Sequence, residues 1–226
     1  MTRTTLCFSF LLLCLPVGVY AACGEELEGV RRELDTEEQG IRTTEQAVRA
    51  AKAEFLSRDA ALREVMAHPP AGYDQNLASH LVELRRTEVE PKRAMLERLR
   101  AQHEEGRKQW ERGHQMLYSQ FVQARTALQE QRLSQDDYCR VREAYVQALR
   151  MYRDGMQAYR AGMDLYARAL TAYAERFLVP YAQGFSDREQ WVRLTRQLER
   201  GDFLQDLLVP MTANAVRSAP PEAPPE

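Results

Sequence analysis

Cysteine, histidine paired with glutamate, and a run of tyrosines are the side chains of this sequence with chemical reach, and their spacing limits what they can do. Cysteines stand at 7, 14, 23 and 139, with no Cys-x-x-Cys redox pair and no cysteine-rich zinc pattern. Cys139, near the start of a helical stretch and without a histidine at useful spacing, reads as a lone buried thiol rather than a nucleophile. Glu111-x-x-His114 has the spacing that one helix supplies to a carboxylate-bridged di-metal bundle, but the second such motif and two further inward glutamates are missing. His103 lies in the same highly charged segment, where an exposed histidine needs no special role. Met156 and Met163 fall in a regular apolar row, which favours packing over haem ligation. There is no His-Glu-x-x-His, nucleophile elbow, phosphate-cradling glycine loop or haem-attachment motif. The reading is therefore of no catalytic residue, no metal site and no cofactor.

The clearest pattern is aromatic. Tyr138, Tyr145, Tyr152, Tyr159, Tyr166 and Tyr173 form an unbroken seven-residue series. Leu149, Met156, Met163, Leu170 and Phe177 form a second series, and Val141, Ala148, Gly155, Gly162 and Ala169 a row of smaller residues beside them. Tyrosine rings bury area while their hydroxyls reach polar groups at the edge of a packed surface, and small residues let another helix approach. The six tyrosines are thus candidates for packing within the chain or for a partner-binding surface, with an aromatic or carbohydrate ligand as the remaining use.

These residues need long helices to position them. Leu27, Leu34, Ile41, Val48, Phe55 and Leu62 recur every seventh residue with Val30, Ala51 and Val65 three positions on, the seam of coiled-coil packing. Glu37, Thr44 and Arg58 interrupt the companion row and predict partly exposed packing. This first helix spans about 25 to 67, roughly 60 Å at the helical rise per residue, and His68-Pro69-Pro70-Ala71-Gly72 ends it. A second helical region runs from about 74 to 132, with a kink or break at Pro91. Its polar middle, residues 100–115, is expected to face solvent or a partner. Ser134 and Asp137 open the third helix. Ser186-Asp187-Arg188-Glu189 opens a short fourth, in which Trp191, Leu194 and Leu198 form the packing face and Gly201 and Pro210 limit length. The fold class is all-α: an elongated antiparallel bundle or coiled-coil-like assembly of three long helices plus a short C-terminal one.

Outside that bundle lie two ends of different character. MTRTT gives a basic start, LCFSFLLLCLPVGV an apolar stretch too short to prefer a spanning helix, and Tyr20-Ala21-Ala22-Cys23 small residues before a cysteine. This segment resembles a bacterial lipoprotein export signal over residues 1 to 23. The resemblance implies cleavage before Cys23, acylation of that residue and a membrane tether; Gly24 in place of aspartate implies the outer membrane, facing the periplasm. Val19-Tyr20-Ala21 equally suits a signal peptidase cutting after Ala21, which gives a soluble periplasmic or secreted protein. An acylated Cys23 cannot pair with Cys139, whereas the soluble form leaves two thiols in an oxidising compartment. The division is then a signal peptide at 1–22, a helical domain at 23–217 and a proline-rich, disordered tail at 218–226.

Composition agrees with one exported helical unit. The 226 residues are 44% hydrophobic and 28% charged, with a formal charge of -2, so no net field draws nucleic acid. The densest basic stretch, 85–112, interleaves its arginines with glutamates, as a salt-bridged surface does. The sequence thus predicts a noncatalytic, membrane-tethered envelope lipoprotein acting as adaptor, spacer or assembly component. Its partners would be the membrane through the N-terminal lipid, an envelope protein and further copies of itself, with no nucleic acid. The alternative is a secreted or periplasmic ligand-binding helical bundle.

Overall fold

The computed structural model describes residues 26–218. The signal, Cys23 and all but the first residue of the proline-rich tail lie outside the described residues. The chain is all-helical, with no strand among the described residues. Its helices are α1 (Glu26–Ala67), α2 (Gln75–Leu84), α3 (Glu90–Gln129), α4 (Gln135–Tyr173), α5 (Val179–Gln183), α6 (Arg188–Glu199) and α7 (Gln205–Ser218), with π turns at Arg85–Val89 and Ala174–Leu178.

The predicted seam of α1 is buried. Leu27, Leu34, Ile41, Phe55 and Leu62 lie inside, with Val30 and Ala51 of the companion row, while Val48 and Val65 are partly buried. Glu37 departs from expectation, because it too is buried and pairs with Arg160 of α4 at 2.6 Å. Burying a carboxylate is tolerable when an opposite charge pairs with it, so this interruption is an inter-helix ion pair rather than an exposed gap. Arg58 does stay exposed.

Gly72, at φ 82°, takes the left-handed backbone that turns the chain after α1. The Asp74 carboxylate then caps α2 by accepting the Leu77 N–H at 3.0 Å, and Arg188 donates to its other oxygen at 2.9 Å. Ser134 caps α4 as the sequence predicts, accepting the Asp137 N–H at 3.1 Å. At α6 the cap is Asp187, which accepts the Glu189 N–H at 3.0 Å, rather than Ser186.

Proline gives the two π turns their cause. In the first, the Glu90 N–H bonds the Arg85 carbonyl, and Pro91 follows; in the second, the Val179 N–H bonds the Ala174 carbonyl, and Pro180 follows. Proline cannot donate to the carbonyl four residues back and its ring crowds that group. One extra residue per turn removes the conflict, so the chain passes Pro91 without a break. The helical region expected from about 74 to 132, with a kink or break at Pro91, is α2, a π turn and α3 in succession. The single short fourth helix is replaced by α5, α6 and α7, and Pro210 lies inside α7.

Helix α4 holds the centre. Helix α1 lies along it in the same direction, as Glu26 to Arg150, Glu37 to Arg160 and Phe55 to Tyr173 show. Helix α3 runs antiparallel on another side, and α7 returns across both α3 and α4. At the far end, Tyr73, Tyr181, Phe185 and Trp191 interlock, with the Trp191 indole N–H donating to the Tyr181 carbonyl at 2.8 Å. Trp191, Leu194 and Leu198 are buried, as expected of the α6 face.

Candidate functional site

Seven-residue periodicity puts the tyrosine row of α4 on one stripe, and all six rings are buried, none more than 8% exposed. The rings meet α3 and α1. Phe121 stacks on Tyr145 at 4.7 Å between centroids, His114 stacks on Tyr152 at 4.6 Å, and Phe55 meets Tyr173 edge-on at 5.2 Å. All six rings therefore lie in the interior, away from solvent.

The hydroxyls end in polar partners at the seam between α1 and α3. Tyr166 donates to Glu97 Oε1 at 2.8 Å, while the Tyr159 oxygen accepts from Arg107 Nη1 at 3.3 Å. Arg107 also reaches Glu45 of α1 at 2.5 Å and Glu111 at 2.7 Å, and its guanidinium lies 5.0 Å over the Tyr159 ring. One side chain thus joins all three long helices. Burial raises the Tyr152 and Tyr159 phenols above their ordinary range. For Tyr166, burial and the hydrogen bond to Glu97 act together, keeping it neutral well into alkaline solution.

The row of small residues serves the opposite purpose, receiving rings from α3. A Cβ at Gly155 would stand 2.5 Å from Trp110 Nε1 and 2.6 Å from its Cε2, so only glycine leaves room for the indole. Gly162 receives His103 in the same way one heptad on, since a seven-residue step down α3 matches a seven-residue step up α4. The polar middle of α3 therefore faces solvent on one side, where Gln102, Glu105, Lys108, Gln109 and Arg112 are exposed, and turns its other side inward. His103 and Gly106 are buried and Trp110 is partly buried. The sequence signal was available in the spacing of His103, Trp110, Gly155 and Gly162, but the surrounding charges concealed it. Burial lowers the His103 pKa, against a backbone hydrogen bond at Met211 that raises it.

The remaining sequence candidates are engaged elsewhere. Glu111 points to Arg107 and His114 to Tyr152, so the metal-like spacing of these two residues does not converge on one point. Among the described residues no cluster of three or more His, Cys, Asp or Glu side chains is placed to hold a metal ion. Met156 and Met163 are buried in the apolar row. Cys139 is disulfide-bonded rather than a lone thiol. No helix among the described residues is long and apolar enough to cross a membrane.

Comparison of the chain with protein-family models, with curated proteins and with solved structures finds no match to any of them.

Proposed function

We propose that the protein is a noncatalytic helical adaptor or spacer of a bacterial cell envelope, exported by its N-terminal segment. In this reading the elongated antiparallel bundle is the working part, holding an interaction surface at a fixed distance from one end. The observation that carries it is the fate of the chemically capable side chains. The six tyrosines, His103, His114, Glu111 and Arg107 are spent on joining α1, α3 and α4 to one another rather than on lining an open cavity. Helices of 42, 40 and 39 residues locked in this way suit a mechanical part, roughly 60 Å in length at the helical rise.

Two forms of the adaptor differ at Cys23. In the tethered form, acyl chains on Cys23 hold the bundle to the outer membrane. In the soluble form, Cys23 pairs with Cys139 in the periplasm or outside the cell. A Cys23–Cys139 disulfide belongs to the soluble form alone, because an acylated sulfur cannot pair.

Intact-mass analysis of membrane and soluble envelope fractions separates these forms. A soluble species cut after Ala21 or Ala22 and two hydrogens lighter than its reduced form is expected; a membrane species beginning at Cys23 with added acyl mass gives the tethered form instead. A protein found uncleaved in the cytoplasm overturns both. The adaptor role itself requires salt-resistant co-purification with one envelope protein, and recovery as a lone monomer from crosslinked envelopes counts against it.

A further inference from the structure

At the end of the bundle where the second π turn, α6 and α7 meet, an open cleft of about 680 Å³ is lined by Arg176, Arg193, Arg196, Arg200, Asp202 and Asp206, with Gln197, Gln205 and Phe203. Four arginines against two aspartates give it a formal charge of +2 in a chain whose net charge is negative. The two aspartates do not neutralise the four guanidiniums. Asp206 is fully used by Arg176, which donates to both of its oxygens at 3.0 Å. Arg193 reaches only Glu189, at 4.0 Å. Arg196 on α6 and Arg200 at its C-terminal cap, one helical turn apart, are exposed and have no hydrogen bond or ion pair among the described residues. The carboxylate best placed in sequence to serve them, Glu199, is turned to His80 of α2 at 3.1 Å.

We propose that this cleft binds a phosphomonoester. A carboxylate offers two oxygens and satisfies one guanidinium fork, as Asp206 does for Arg176. A phosphomonoester offers three terminal oxygens and up to two negative charges, which match two neighbouring forks. Arg196 and Arg200 supply those forks, Arg193 adds a third charge at the rim, and the Gln197 and Gln205 amides supply neutral donors. The volume exceeds what a phosphate alone needs and leaves room for the body of the ligand. The same chemistry is carried by a free phosphorylated metabolite and by a phosphomonoester lipid headgroup. The proposal rests on neither form of the protein at Cys23.

The test uses the full mature chain and two probes with one headgroup: glycerol 3-phosphate in solution, read by calorimetry, and phosphatidylcholine vesicles with and without phosphatidic acid, read by sedimentation. Binding to at least one probe is expected, weakening by about tenfold or more in R196Q/R200Q, since charge-assisted bidentate bonds are lost. Binding to glycerol 3-phosphate identifies the soluble source, and binding to phosphatidic acid vesicles alone identifies the membrane. R196K/R200K keeps both charges without the forks and is expected to lose affinity as well, by a smaller factor. R49Q/R125Q removes two exposed arginines elsewhere and is expected to bind as the parent does. All these positions are exposed, and an unchanged melting curve confirms that each variant is folded. Binding of neither probe overturns the proposal, as does equal affinity for succinate, unchanged binding in R196Q/R200Q, or an equal loss in R49Q/R125Q.

Discussion

Gly162 of α4 and His103 of α3 share one space: a Cβ at residue 162 would stand 2.6 Å from the imidazole Nδ1 and closer still to Cε1 and Nε2. His103 is fully buried, so its ring has no room to swing aside. Gly162→Ala is therefore expected to destabilise by about 1–3 kcal/mol, the usual cost of overpacking, despite the better helix propensity of alanine. Gly113→Ala, with nothing within 4 Å of its Cβ, should instead stabilise by about 0.5–1 kcal/mol. Urea unfolding of the two variants checks the opposite signs, and His103→Ala in the Gly162→Ala background should recover part of the loss.

The bond from Tyr166 to Glu97 predicts a modest effect for its loss and a larger one for loss of the ring. Tyr166→Phe removes one hydrogen bond and should cost about 1 kcal/mol, while Tyr166→Ala opens a cavity and should cost about 3–5 kcal/mol. Equal effects in thermal melts would mean that the ring contributes little.

Alkaline stability follows from the same row. Burial raises the phenol pKa of Tyr145, Tyr152, Tyr159, Tyr166 and Tyr173 above the ordinary value of 10.0. Above that value the unfolded chain loses protons that the folded chain keeps, so stability falls as pH rises past 10. Phenolate absorbance of these residues should therefore appear together with loss of helical circular dichroism; ionisation of all five before any loss of helix would contradict the burial.

His103 acts on the acid side. Its folded pKa is lowered by burial from 6.5, so below that value the unfolded chain takes up a proton that the folded chain refuses. Stability from this residue is complete above pH 6.5 and is lost as pH falls through and below it. Melting temperatures between neutral pH and the upper end of the carboxylate range should decline in the parent and decline less steeply in His103→Gln.

Cys139→Ser should cost about 2–5 kcal/mol, as loss of a native disulfide does in small exported domains. Reduction of the parent should reproduce that loss and leave the variant unaffected.

Much of this architecture was legible because heptads report burial directly. The Leu27 to Leu62 seam, the tyrosine row and the Ser134 cap all follow from side-chain period and local hydrogen bonding. What escaped was contact between distant segments. Glu37 looked like a gap because its partner Arg160 lies on another helix, and His103 looked solvated because the glycine that admits it is 59 residues away. The arginine cleft escaped for the same reason, since the second π turn, α6 and α7 each contribute to it and none carries a motif alone. Cys139 read as a lone thiol because spacing says nothing about a bond to a distant cysteine.

The two π turns alter the phase of the chain. Each splices one residue into an otherwise continuous spiral, rotating everything beyond it by roughly 100° about the axis. The stripe that α4 presents to α1 and α3 is therefore not the stripe that α5 inherits, and the residues after Pro180 can wrap around the end of the bundle instead of extending it. Residues 85–89 do the same between α2 and α3. Proline thus acts here less as a breaker than as the reason for a reading-frame shift in side-chain direction, and a bundle with a regular repeat along its shaft acquires a head with a different one.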